Sequence, residues 1–148
     1  MDIEVRYQYV SGGEFAAYSH LVWEGLERIG RRHHDTITLS SLEDSIHKGS
    51  VVMMAMFVDK TLSGFSVFSL SDADDGVTTL YGQVGYIRAE VQASLAKEGF
   101  RASEVMARRF GAGRIQFESA RKGWVRVAKT EGFSVTTSDE GYVFSKEL

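Results

Sequence analysis

Neither cysteine nor proline occurs among the 148 residues. Without cysteine there can be no disulfide, thiolate metal site or cysteine nucleophile. Proline is usually about 5% of a chain, and its absence carries no reading of function. Also missing is any apolar run near the roughly 20 residues that span a bilayer. The opening MDIEVRYQYV is strand-like, not a basic segment followed by an apolar one, so no signal peptide is expected. The chain therefore reads as a cytoplasmic protein with no membrane segment.

What is present is ordinary for a globular protein: 43% hydrophobic and 25% charged residues. A chain of this length reads as one domain over 1–148, burying roughly 70% of its unfolded surface. The net charge of −3 is unevenly spread. Residues 1–75 hold 12 acidic and 6 basic side chains, and residues 76–148 hold 8 acidic and 11 basic. Eight of those basic residues fall between Arg101 and Lys129, against Glu104 and Glu118 alone. A local basic region on an acidic chain suits a discrete anion or a solvated helix face. Nucleic acid is not the expected partner, because it asks for a domain that is basic overall.

Alternation of apolar and polar residues predicts a strand over Ile3–Val10. Ser11 and Glu14 form a capping box that opens a helix carrying Phe15, Tyr18, Leu21, Val22, Leu26 and Ile29. A second helix is expected from Ser40 or Ser41 to Gly49, with Glu43 and Asp44 in its first turn. Val51–Val58 is apolar enough to be a strand buried on both faces. A turn at Asp59-Lys60-Thr61 leads to the strand Leu62–Leu70, and an acidic turn leads to Val77–Gln83. Residues 86–111 read as helix, either kinked or divided at Gly99. Strand Arg114–Glu118, a basic helix ending at Gly132-Phe133, and the hairpin strands Ser134–Thr137 and Tyr142–Lys146 complete the chain. The order is β-α-α-β-β-β-α-β-α-β-β, an α/β fold with a mixed central sheet flanked by helices.

That order, with its strand, helix, Gly-Phe and closing hairpin, resembles the GNAT superfamily of acyl-CoA-dependent N-acyltransferases. The late helix of that family has the pattern N-x-x-A-x-x-x-Y-x-K-x-G-F. Counting back from Gly132-Phe133 puts Arg121 at the Asn position, Trp124 at the Ala, Ala128 at the Tyr and Thr130 at the Lys. The form Ser119-Ala-Arg121-Lys-Gly-Trp124 resembles divergent GNAT-like proteins of tailed bacteriophages, which would place the chain in a host cytoplasm or a virion. Trp124 itself reads as a core anchor.

The resemblance implies an acetyl-CoA site. The family's pyrophosphate loop, Q/R-x-x-G-x-G/A, is matched nearest by Arg88-Ala-Glu-Val91-Gln-Ala93, with Val91 where the loop has glycine. Implied cofactor contacts are thus Gln83, Val84, Arg88, Val91, Ala93 and Arg121. The family's Tyr protonates the departing CoA thiolate, and Ala128 cannot. Tyr81 and Tyr142 are the replacements considered, and Glu118 is the carboxylate best placed to accept the amine proton. Arg88 and Glu118 also read plainly as a solvated first-turn residue and a charged strand end.

Arg31-Arg32-His33-His34-Asp35 reads as a basic helix C-terminus and not as a metal site, since adjacent His side chains point apart. Two functions stand side by side. One is acetyl transfer to a small-molecule or protein amine. The other is a catalytically silent GNAT-fold protein that works by binding, through a protein partner, a homo-oligomer or a virion assembly.

Overall fold

A computed structural model describes residues 4–30, 38–119, 121–139 and 141–148, with only the backbone of 29–30 and 89–96. Seven strands lie in one mainly antiparallel sheet in the order β1-β2-β3-β4-β5-β7-β6, flanked by helices. The strands are β1 Val5–Val10, β2 Val52–Val58, β3 Thr61–Asp72, β4 Thr78–Ile87, β5 Arg114–Ser119, β6 Ser134–Ser138 and β7 Gly141–Glu147. The helices are α1 Ser19–Gly30, α2 Leu39–His47, α3 Ala89–Arg109 and α4 Gly123–Thr130. The expected element order is therefore found. By its contacts the chain divides into two compact units, Met1–Val67 with Val84–Val91, and Phe68–Gln83 with Gln92–Leu148.

In the first unit, the segment opened by Ser11 and Glu14 begins as a 3-10 turn, Gly12–Tyr18, before α1. The Glu14 carboxylate accepts from the Ser11 N–H and hydroxyl at 3.3 and 2.8 Å. The second helix starts earlier than expected. Thr38 caps it by accepting from the Ser41 N–H at 3.1 Å, so Glu43 and Asp44 fall beyond the first turn. Gly49, at φ 75, follows its end. No residue of β2 is exposed, as its apolar run predicts. The β2–β3 turn is two residues long, and both Asp59 and Lys60 have positive φ, the geometry that suits the twist of a tight hairpin. Val10, Phe15, Leu21, Val22, Met53, Ala55, Phe65 and Val67 form the core of this unit. Gly25 is required within it, because a Cβ there would stand 2.7 Å from the Phe65 ring and 2.9 Å from Tyr86.

In the second unit, α3 passes through Gly99 as one helix. Phe100 sits among Phe117, Phe133, Phe144 and Trp124 at centroid distances of 5.3, 5.3, 6.4 and 5.6 Å. Trp124 is therefore the anchor its position suggested. The basic helix, α4, begins at Gly123, so Arg121 and Lys122 lie in the turn before it. Helix-ending Gly132, at φ 87, turns the chain into the β6–β7 hairpin.

Candidate functional site

β4 and β5 are parallel neighbours, in register at Thr79↔Arg114, Leu80↔Ile115 and Tyr81↔Gln116. Register ends there, although β4 continues to Ile87 and β5 to Ser119. The ladder thus stops after Tyr81 and Gln116. Gly82 keeps the chains close just beyond it, since a Cβ there would come within 2.8 Å of the Phe117 Cβ.

Side-chain parity sorts the catalytic candidates onto two faces. On β5, Arg114, Gln116 and Glu118 share one face, and Ile115, Phe117 and Ser119 share the other. Tyr81 stands beside Gln116 and so belongs with Glu118. Tyr142 pairs with Ser119 and lies on the face of Phe117 and Phe144, its ring 6.4 Å from Phe144. The structure therefore brings Tyr81 and Glu118 to one face and leaves Tyr142 on the opposite one. Glu118 is exposed, and Tyr81 and Tyr142 are half-buried. Tyr81 also lines an open depression of about 420 Å³ with Asp72, Asp74, Asp75, Arg114 and Gln116.

Arg114 is the strongest electrostatic feature of this face. Its guanidinium holds Asp75 through two nitrogens and Glu147 through a third. The Arg114 hydrogen bonds lower the Asp75 carboxyl, and those to Asp75 and Glu147 raise the guanidinium in turn. Arg101 and Arg108 are similarly matched, by Glu98 and Glu131 and by Glu104. The exposed cations of the basic stretch that α4 and its entry turn carry are Lys122, Arg126 and Lys129. The Arg121 guanidinium lies 5.5 Å from the Trp124 ring, and its N–H donates to the Ser119 hydroxyl at 3.1 Å.

The expected cofactor contacts are placed as follows. Gln83 is exposed and donates to the Ser69 hydroxyl at 2.7 Å. Val84 is buried in the first unit. Arg88 is the single residue between β4 and α3, because β4 runs four residues past Gln83 and the helix begins at Ala89. Its backbone N–H donates to the Ser63 carbonyl at 2.9 Å. Its Nε donates to Glu24 Oε2 at 3.1 Å, and an amino group reaches the Leu62 carbonyl at 3.4 Å. Tyr86 donates to the same Glu24 oxygen at 2.8 Å. Burial pushes the Glu24 carboxyl up, but these bonds and the Arg88 and Arg28 charges outweigh it, and the net shift is downward. Burial and the Glu24 bond raise the Tyr86 hydroxyl. Val91 and Ala93 lie in the first turns of α3, their side chains outside the described residues. Residues 31–35 lie outside them too, and among the described residues no cluster of His, Asp and Glu could hold a metal.

Sequence reasoning did not find the Glu24 triad or the Arg114 cluster. Glu24 lies 62 and 64 residues from its partners, and no local pattern announces such a pair.

The Ala128 methyl is fully buried, and its carbonyl accepts the Phe133 N–H at 2.9 Å. Groups able to hold a phosphorylated thioester are chiefly backbone. The first-turn N–H groups of α3 lack partners within the helix and suit an anion. A pyrophosphate-bearing thioester fits this donor set, with Arg88 already committed to Glu24.

No protein-family model and no curated protein sequence matches the chain. Solved structures do. The polyamine N-acetyltransferase of Drosophila melanogaster is similar at TM-score 0.75 and 8% identity, over 98% of this chain and 100% of that one. A GNAT-family acetyltransferase from Listeria monocytogenes is similar at TM-score 0.71 and 14% identity, over 97% and 95% of the two chains. The PaiA N-acetyltransferase of Thermoplasma acidophilum, in complex with coenzyme A, gives TM-score 0.66 and 16% identity over 100% of both.

Proposed function

Because the chain has the fold of the GNAT acetyltransferases, we propose that it transfers an acetyl group from acetyl-CoA to the amine of a small molecule or protein. One observation carries the reading: the parallel β4–β5 ladder stops after three residue pairs while both strands run on. Peptide groups beyond the ladder would be open to an extended ligand, and α3 begins one residue after β4. Bound acetyl-CoA would supply the activated thioester carbonyl. Glu118 accepts the proton of the attacking amine from one face of β5, the face that also carries the Tyr81 phenol. Tyr142, on the other face, holds a hydroxyl proton for the thiolate that leaves. The residues that would contact the cofactor are Val84, Arg88 and the Val91 amide in the first unit, and Gln83, Ala93 and Arg121 in the second.

Thermal unfolding with acetyl-CoA, desulfo-CoA and adenosine tests the site. A ligand at 100 times its dissociation constant stabilises by about 2.7 kcal/mol, and both CoA compounds are expected to raise the Tm by several degrees where adenosine does not. No shift at millimolar acetyl-CoA sinks the enzyme reading. With a transferable amine in hand, Glu118→Gln should lower kcat roughly 100-fold or more and leave the acetyl-CoA shift intact.

The buried Ala128 methyl favours a second reading, in which the fold is kept and the chemistry lost. The chain would then be a binding or structural protein, for example a phage virion or regulatory component. A cofactor shift without transfer to any of a broad set of amines, or no shift at all, is its expected outcome.

A further inference from the structure

The sheet ends on one side at β6, and the composition of that strand is unusual for an edge. Exposed edges are ordinarily blunted by charge, by proline, by a bulge or by a covering segment. Ser134–Ser138 has the sequence SVTTS, with no charged residue, in a chain with no proline. All five residues pair one-to-one with β7, from Ser134↔Ser145 to Ser138↔Gly141, so no bulge interrupts them. Ser134, Thr136, Thr137 and Ser138 are exposed and Val135 is half-buried, so among the described residues nothing covers the strand. The other terminal strand, β1, is protected by contrast. It carries exposed Arg6, whose guanidinium lies 5.0 Å from the Phe57 ring.

We infer that the free edge of β6 pairs antiparallel with the same edge of a second copy of this chain, about a two-fold axis at Thr136. The sequence selects a second copy because SVTTS reads nearly the same in both directions. Around that axis Ser134 meets the other copy's Ser138, Val135 meets Thr137, and Thr136 meets itself. Every opposed pair is small or β-branched, Thr–Thr contacts favour pairing, and no like charges meet. Alternate peptide groups on the free edge then find partners. The contact is self-complementary and closes at two copies, whereas β6 on the next copy's β1 would propagate without end. Five residues a side is a small interface, so the dimer is weak and concentration-dependent.

Sedimentation velocity of the full chain, from micromolar to near-millimolar, tests the pairing. The wild type should move toward twice the monomer mass as concentration rises. Thr136→Lys and Thr136→Glu each put like charges across the axis and should raise the dissociation constant about tenfold or more. An equimolar mixture of the two should associate again, as Lys faces Glu. Thr136 is exposed, and unchanged thermal unfolding of each variant confirms that the fold is kept. A wild type that stays monomeric overturns the inference. So does a dimer that neither substitution weakens, or a mixture that associates no better than either variant alone.

Discussion

Truncating Phe100 to alanine probes the packing that holds β5, β7 and α4 in place. The ring is 5% exposed and lies within 5.3–6.4 Å, centroid to centroid, of four other aromatic rings. Phe→Ala in a core costs about 3–5 kcal/mol. Aromatic pairs add roughly 0.5–1.5 kcal/mol each, though the four share one ring and do not sum. A loss of about 4 kcal/mol is expected, which most domains survive at overall stabilities of about 5–15 kcal/mol. With a urea slope of about 2 kcal/mol/M, the unfolding midpoint should fall by roughly 2 M. Phe110→Ala is the comparison, since Phe110 is 41% exposed and should cost no more than about 0.5 kcal/mol. A Phe100→Ala loss below about 1.5 kcal/mol, or one equal to that of Phe110→Ala, would refute the claim that this ring is the hub of the second unit.

Two further substitutions test the first unit. Gly64→Ala places a Cβ 2.6 Å from the Tyr86 carbonyl oxygen and 3.3 Å from the Ile87 Cα, backbone that cannot step aside. It should destabilise by about 1–3 kcal/mol in thermal unfolding, whereas Gly123→Ala, with nothing within 4 Å, should be neutral or better. Glu24→Gln removes the charge that Arg88 holds. The Glu24 pKa is depressed in the folded state, so its stabilisation is present above the ordinary carboxyl value of 4.5 and is lost as pH falls through the folded value. The Tm gap between wild type and Glu24→Gln should accordingly be widest near neutral pH and close on acidification. A gap that stays constant down to pH 3 counts against it.

The order of elements was legible because each is written locally. Val52–Val58 is apolar throughout, the Asp59-Lys60 turn has two residues, and Ala102 and Met106, four apart, are buried on one face of α3. Boundaries failed where distant packing decides them. Val84, Tyr86 and Ile87 are buried, and that burial carries β4 past Gln83 to Ile87, over residues expected to open the helix. The Thr38 cap is hard to see locally, because its reciprocal residue, Ser41, is not the usual Glu or Gln. The candidate site was legible only as a set of residues. Whether Glu118, Tyr81 and Tyr142 share a face depends on the β4–β5 and β5–β7 registers, which join residues 23 to 35 positions apart.

The two tryptophans give the protein a built-in optical readout. Trp23, on α1 of the first unit, is 55% exposed, while Trp124 of the second unit lies against the Phe100 ring. An aqueous quencher such as iodide should reach the Trp23 indole readily and the Trp124 indole poorly. The red shift of emission on unfolding should come chiefly from Trp124, because Trp23 already emits from water. Fluorescence without a quencher therefore follows the second unit, and the quenchable fraction follows the surroundings of α1. A denaturant titration recorded both ways will show whether the two units melt together.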